Sequence, residues 1–257
     1  MARPERDSID ARYAGLEAID EGLRTFMLRV YNYMSAGLAI TGVAAFMIYN
    51  LALPGEGETP AALLKNGVAL NAFGVSIYLS WMRYVIMFAP LVMVFLVMGN
   101  LRNMSVQGAQ LAFWSFAALM GLSISSIFIV YTGASIVRVF FITSAAFGAL
   151  SLYGYTTRRD LSPFYSFLIM GVVGLILASI VNLFIGWSVL QMAISAIGVL
   201  VFAGLTAVDT QQIKESYYDG DGDVVAGKKA IMGALRLYLD FINMFLMLLH
   251  LFGGSRE

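Results

Sequence analysis

The chain has 257 residues, 60% of them hydrophobic and 12% charged, and its sixteen basic and sixteen acidic side chains balance to a net charge of zero. So low a charge content excludes an ordinary soluble domain, where about a quarter of residues are charged, and a neutral chain suggests no nucleic-acid partner. No cysteine is present, which removes disulfides, thiolate metal sites and cysteine nucleophiles.

Residues 1–25 read as a polar N-terminal tail. Acidic residues alternate with arginines there, and no apolar core of a secretory signal is present. Crossing about 30 Å of hydrocarbon takes about 20 apolar residues at about 1.5 Å each. Seven segments qualify: 26–53, 83–101, 109–131, 136–155, 164–187, 189–209 and 231–252. The expectation is an all-α integral membrane protein: a cytoplasmic tail (1–25), a seven-helix membrane domain (26–253) and a short C-terminal tail (254–257). One boundary is irregular. From 67 to 101 the chain is apolar for longer than one span needs and too short for two. Asn71, Ser80, Trp81, Arg83 and Tyr84 suggest an interfacial segment leading into a span centred on Pro90, a residue that can kink its helix. Glycines in the later spans (Gly121, Gly171, Gly174, Gly198, Gly204) read as helix-packing positions. No internal repeat supports an inverted-repeat transporter.

Basic residues give the orientation. With the N-terminus in the cytoplasm, eleven lie on inner segments and four (Lys65, Arg83, Arg138, Arg256) on outer ones, while Arg236 falls inside the seventh span. An odd number of crossings then puts the C-terminus outside, whereas a re-entrant last segment would return it.

Three motifs yield little. The loop around Asp219, Asp221 and Asp223 lacks the glycine and glutamate of an EF-hand, since the sixth and twelfth positions from Asp219 are Val224 and Ala230. His250 stands alone as a metal ligand. All four lysines lie outside the spans, so a retinal Schiff base has no attachment point.

Asp209 and Asp240 are the only carboxylates within the apolar stretches. An ionised carboxylate in hydrocarbon is costly and normally faces a partner, a bundle interior or a wet path. In the last span, helical spacing puts Arg236, Asp240, Asn243 and Met247 along one face. That stripe must turn inward, which places the helix near the middle of the bundle. Arg236 and Asp240 are four apart and could also simply neutralise each other. Two carboxylates in a low-dielectric site cannot both ionise cheaply, so a proton tends to be shared and the titrations couple. The depths differ: Asp209 precedes Lys214 by five residues, and Asp240 follows Lys229 by eleven. The two meet only if the sixth helix runs past Lys214 or the seventh begins near Gly233.

Here the chain resembles a known family. Leu237-Tyr238-Leu239-Asp240-Phe241-Ile242-Asn243 is similar to the hallmark of the Bax inhibitor-1 (TMBIM) membrane proteins. Thr206-Ala207-Val208-Asp209-Thr210-Gln211-Gln212-Ile213-Lys214 resembles the end of that family's sixth span. The resemblance covers 26–253, and the arginine-bearing acidic tail is typical of bacterial members. It implies six helices around a central C-terminal seventh, in the bacterial cytoplasmic (inner) membrane. It also implies a pH-sensitive calcium leak in which Asp209 and Asp240, hydrogen-bonded to each other, act as sensor and gate and meet calcium transiently. Asn243 would line the path. The family's basic partner near the end of the second span matches Arg102, with Arg236 as a second candidate. No cofactor is expected, and an intramembrane aspartyl protease is disfavoured because Gly-x-Gly-Asp is absent. Bacterial relatives suggest an alternative role as partner and modulator of an FtsH-type membrane protease, with the tail as contact.

Overall fold

The structure, a computed structural model, describes the backbone of residues 3–100 and 103–256, with side chains from residue 21 onward except that of residue 98. The described chain is all-α apart from a short hairpin. In order come α1 (Arg3–Leu51), β1 (Ala62–Leu63), β2 (Ala69–Leu70), α2 (Ala72–Tyr78), α3 (Met82–Asn100), α4 (Val106–Ile124), α5 (Ile127–Val130), α6 (Gly133–Thr156), α7 (Ser162–Ile185), α8 (Ser188–Glu215) and α9 (Asp223–Phe252). The two strands pair antiparallel, Ala62 opposite Leu70.

Among the described residues, six stretches are long and apolar enough to cross a membrane, beginning with Glu21–Leu51 and ending with Asp223–Phe252. A seventh crossing is made if α2 and α3, bent by 58° at their junction, are taken as one span. The long apolar stretch is thus a bent pair. Asn71 starts its first part by accepting the Gly74 N–H at 2.9 Å, as an N-cap does. The bend falls at 79–81 and not at Pro90, through which α3 runs on.

α9 is the most enclosed of the crossing helices, with 67% of its apolar window buried, against 17% for α7. It packs directly on α1, α4, α6 and α8, while α3 lies chiefly against α4 and α7 against α8. Glycines set the closest approaches. A Cβ on Gly154 would lie 2.2 Å from the Ala207 carbonyl, so α6 meets α8 backbone to backbone just before Asp209. A Cβ on Gly121 would come 2.6 Å from the Thr41 carbonyl, which presses α4 onto α1 in the same way. Gly171, Gly198 and Gly204 also meet neighbouring side chains. Gly174 does not: nothing lies within 4 Å of its Cβ position, so the packing role expected for it is absent.

The two ends of α9 lie at opposite ends of the bundle. Gly227 packs on Val106, and the loop before α9 sets Tyr217 against Phe26 near the start of the first span. At the far end the chain is strapped down. Gly254 N–H donates to Ser135 Oγ (2.7 Å), Arg256 N–H to the Val130 carbonyl (2.9 Å), and Arg256 Nη1 to the Tyr49 hydroxyl (3.1 Å). Tyr49 belongs to the last turns of α1. The last helix therefore runs the length of the bundle, parallel to α1, and does not double back within it.

Candidate functional site

The stripe on α9 turns toward α8, and each of three of its members meets a residue there. Met247 covers Gly198, whose Cβ position lies 3.0 Å from Met247 Sδ. Asp240 faces Asp209, the two carboxyl groups within hydrogen-bonding reach of each other. Arg236 Nη1 donates to Gln212 Oε1 at 3.4 Å. Asn243 donates instead to the Leu239 carbonyl of its own helix (2.8 Å) and stays half-buried.

The depth mismatch resolves in neither of the two anticipated ways alone. α8 ends at Glu215, one residue past Lys214, and α9 begins at Asp223, ten residues before Gly233. A Cβ on Gly233 would touch Ile213, which sets these two residues level, and Lys229 Nζ reaches the Ser216 carbonyl (2.8 Å) beyond them. The first turns of α9 thus run beside the chain that leaves α8, and Gly233 lies level with the last turn of α8. From that level Asp209 and Asp240 lie four and seven residues inward, about 6 and 10 Å, a gap that two side chains can close.

Asp209 is 6% exposed and Asp240 4%. Their surroundings are apolar and threonine-rich, with Thr206 and Thr210 bonded back to their own helix at 2.8 and 2.7 Å. Among the described residues, four buried side-chain polar atoms have no hydrogen-bond partner: Trp114 Nε1, Ser195 Oγ, Asp209 Oδ1 and Asp240 Oδ2. Buried polar groups are almost always bonded. Each of the two carboxyl groups thus keeps one enclosed oxygen that no donor reaches. Arg236 contributes an electrostatic attraction to both aspartates but no ion pair within 4 Å. Simple neutralisation of Asp240 by its i−4 arginine is therefore not what the side chains do. Arg102 lies outside the described residues.

Beyond the pair, a small cavity of about 130 Å³ opens at the same end of the bundle, lined by Gln212, Ser216, Lys229, Gly233 and Arg236. Asp221, in the loop excluded as an EF-hand, pairs with Lys229 at 2.5 Å. No group of three or more metal-ligating His, Cys, Asp or Glu side chains occurs among the described residues. The pair alone falls short of the about six to eight oxygens that a resident calcium takes.

Two buried networks next to the pair escaped the sequence reading. Thr41 Oγ1 lies 2.6 Å from the Tyr238 hydroxyl and 2.8 and 3.0 Å from the carbonyls of Ala117 and Gly37, tying α1, α4 and α9 together. The Tyr31 hydroxyl, Ser151 Oγ and Thr210 Oγ1 form a second chain across α1, α6 and α8, with steps of 2.5 and 3.0 Å. Tyr238 and Thr210 sit inside the two quoted motifs, the one available signal. Their partners on α1 and α6 carry none.

The profile of the family described as inhibitor of apoptosis-promoting Bax1 matches residues 23–257. An uncharacterized protein of Rickettsia prowazekii is 45% identical over 247 residues, which cover 94% of each chain. The inner membrane protein YbhL of Escherichia coli is 42% identical over 237 residues, 91% of this chain and 94% of its own. An uncharacterized membrane protein of Streptococcus pyogenes is 34% identical over 236 residues, 92% and 95% of the two chains.

Proposed function

Because the chain belongs to the Bax inhibitor-1 family of membrane proteins, we propose that it is a pH-sensitive cation leak gated at Asp209 and Asp240, with calcium as the permeant ion. The observation that carries this reading is the neighbouring, enclosed pair of carboxyl groups, each with an oxygen that no donor reaches. In the closed state they share a proton. Raising the pH removes it, two buried like charges then repel, and α8 and α9 separate at the end where the 130 Å³ cavity already opens. Arg236, near both carboxylates, stabilises their ionised form and so favours release of the proton. A calcium ion passing the separated pair meets carboxylate oxygens, the hard ligands it prefers, without being retained.

The charge bias supports a cytoplasmic N-terminus, and the printed name of the Escherichia coli relative supports the inner membrane. The reading assigns the aspartates no catalytic chemistry. A second reading, in which the protein binds and modulates an FtsH-type membrane protease, rests on the polar stretch before the first span. Deleting residues 1–22 separates the two: flux survives the deletion under the first, and a protease phenotype is lost under the second.

The direct test is calcium flux into proteoliposomes from about pH 5 to about pH 8, where a coupled carboxyl pair can report its shared proton. Wild type is compared with Asp209→Asn and Asp240→Asn. A pH-dependent wild-type flux that both substitutions flatten supports the gate. Flux equal to that of empty liposomes in all three removes the leak reading.

A further inference from the structure

α1 and α6 both pack on α9 yet touch each other only lightly, bridged by the Tyr31–Ser151 hydrogen bond. Between them runs a groove made of three cavities that share walls. The first, about 550 Å³, lies at the Arg24 end between Arg24, Tyr31, Met34, Phe147 and Gly148. Met34 and Phe147 also line the second, about 580 Å³, whose floor is Phe241 of α9. Phe241 continues into a third of about 240 Å³. Two glycines confirm the open space independently: a Cβ on Gly42 or Gly148 meets nothing within 4 Å.

We infer that this groove is a phospholipid site, taking one acyl chain along α1 and α6 with its phosphate at Arg24. Length favours a chain: Arg24 to Leu38 spans about 21 Å, room for a headgroup and the about 15 Å of one leaflet. Polarity agrees. The Tyr31 and Ser151 hydroxyls already satisfy each other, so the walls are apolar below the guanidinium, and an arginine is the side chain suited to a phosphate. An unfilled slot would also leave its lining without dispersion partners, which a flexible chain supplies.

The site is tested with the full chain in vesicles containing phosphatidylglycerol that carries a photoactivatable diazirine midway along one acyl chain. After irradiation, adducts are mapped by peptide mass spectrometry. The expected result is several-fold more adduct on residues 34–42 and 140–148 than on α7, the least enclosed helix. Gly148→Leu and Gly42→Leu start from Cβ positions that meet no protein atom within 4 Å and project into the groove, and each should bring groove labelling down to the α7 level with helical content unchanged. A diacylglycerol probe with the same chain and no phosphate should label the groove less, a preference that Arg24→Gln abolishes. Equal labelling of groove and α7 in the wild type overturns the site, as does groove labelling that neither leucine reduces. Cross-links between two copies at α1 and α6 would assign the groove to a dimer contact instead.

Discussion

Arg236 reaches across to Gln212 on α8, at 3.4 Å, and makes no ion pair with Asp240, four residues along its own helix. One turn outward from the aspartates, the two helices are thus joined by a second rung, which holds a positive charge near both carboxyl groups without neutralising either. Replacing Arg236 by Met removes that charge and keeps the packing. Under the proposed gate the ionised form loses support, so the flux profile should move toward higher pH by about one unit, the low end for a cation near a carboxylate. An unmoved midpoint would show that Arg236 is electrostatically idle.

Asp240→Asn and Asp240→Ala should separate hydrogen bonding from charge. An asparagine amide donates to the Asp209 carboxylate and leaves folding intact. Alanine strands Asp209 without a partner, at a cost of about 1–3 kcal/mol. Apparent melting temperatures in detergent should therefore fall for alanine and hold for asparagine. Equal losses would mean that the pair is not bonded in the folded protein.

The Thr41–Tyr238 contact predicts a non-additive pair. Thr41→Val leaves the Tyr238 hydroxyl buried without its partner, and Tyr238→Phe deprives Thr41 of one, each costing about 1–3 kcal/mol. The double substitution removes both groups and should cost less than the two single losses combined, as for residues in direct contact. A thermal-stability cycle that closes additively would refute the bond.

Gly154 and Gly174 make a matched comparison. Alanine at 154 drives a methyl into the Ala207 carbonyl and pushes α6 off α8, an overpacking cost of about 1–3 kcal/mol. Alanine at 174 meets open space and should change stability by no more than about 0.5 kcal/mol. Helicity and melting of the two variants decide it.

At the start of α7, Asp160 Oδ1 accepts the Ser162 N–H at 2.9 Å, and this bond holds the carboxyl below its ordinary value of 3.8. Lowered in the folded state, the group stabilises the protein above pH 3.8 and loses that contribution as pH falls through its folded value. Asp160→Asn keeps an acceptor without a titrating charge. The part of the acid-induced loss of stability that Asp160 causes should be missing from the asparagine variant, read as its melting temperature below pH 3.8.

What the sequence shows depends on whether a residue's signal is local. Asp209 and Asp240 stand out because a carboxylate in an apolar run is costly on its face, whatever its partner. The direction of the α9 stripe followed from helical spacing, and the three contacts with α8 agree with it. The start of α9 did not follow, because Lys228 and Lys229 end a hydrophobic run without ending a helix. Gly174 reads no differently from Gly171 until the neighbouring helix is in place. Thr41 is one threonine among many until Tyr238, 197 residues later, arrives beside it. Arg236 offered two partners, and only the packing of α8 picked Gln212.

The enclosed position of α9 also dictates an order of assembly. α9 is synthesised after every helix it touches, so α1, α4, α6 and α8 enter the bilayer before the element that fills the space between them exists. Until then the nascent bundle holds an open slot, with Asp209 facing it and no Asp240 to answer. The proposed gate therefore comes into being only once α9 is made, and an mRNA cut short before codon 240 would yield a membrane protein whose unanswered carboxylate marks it as unfinished.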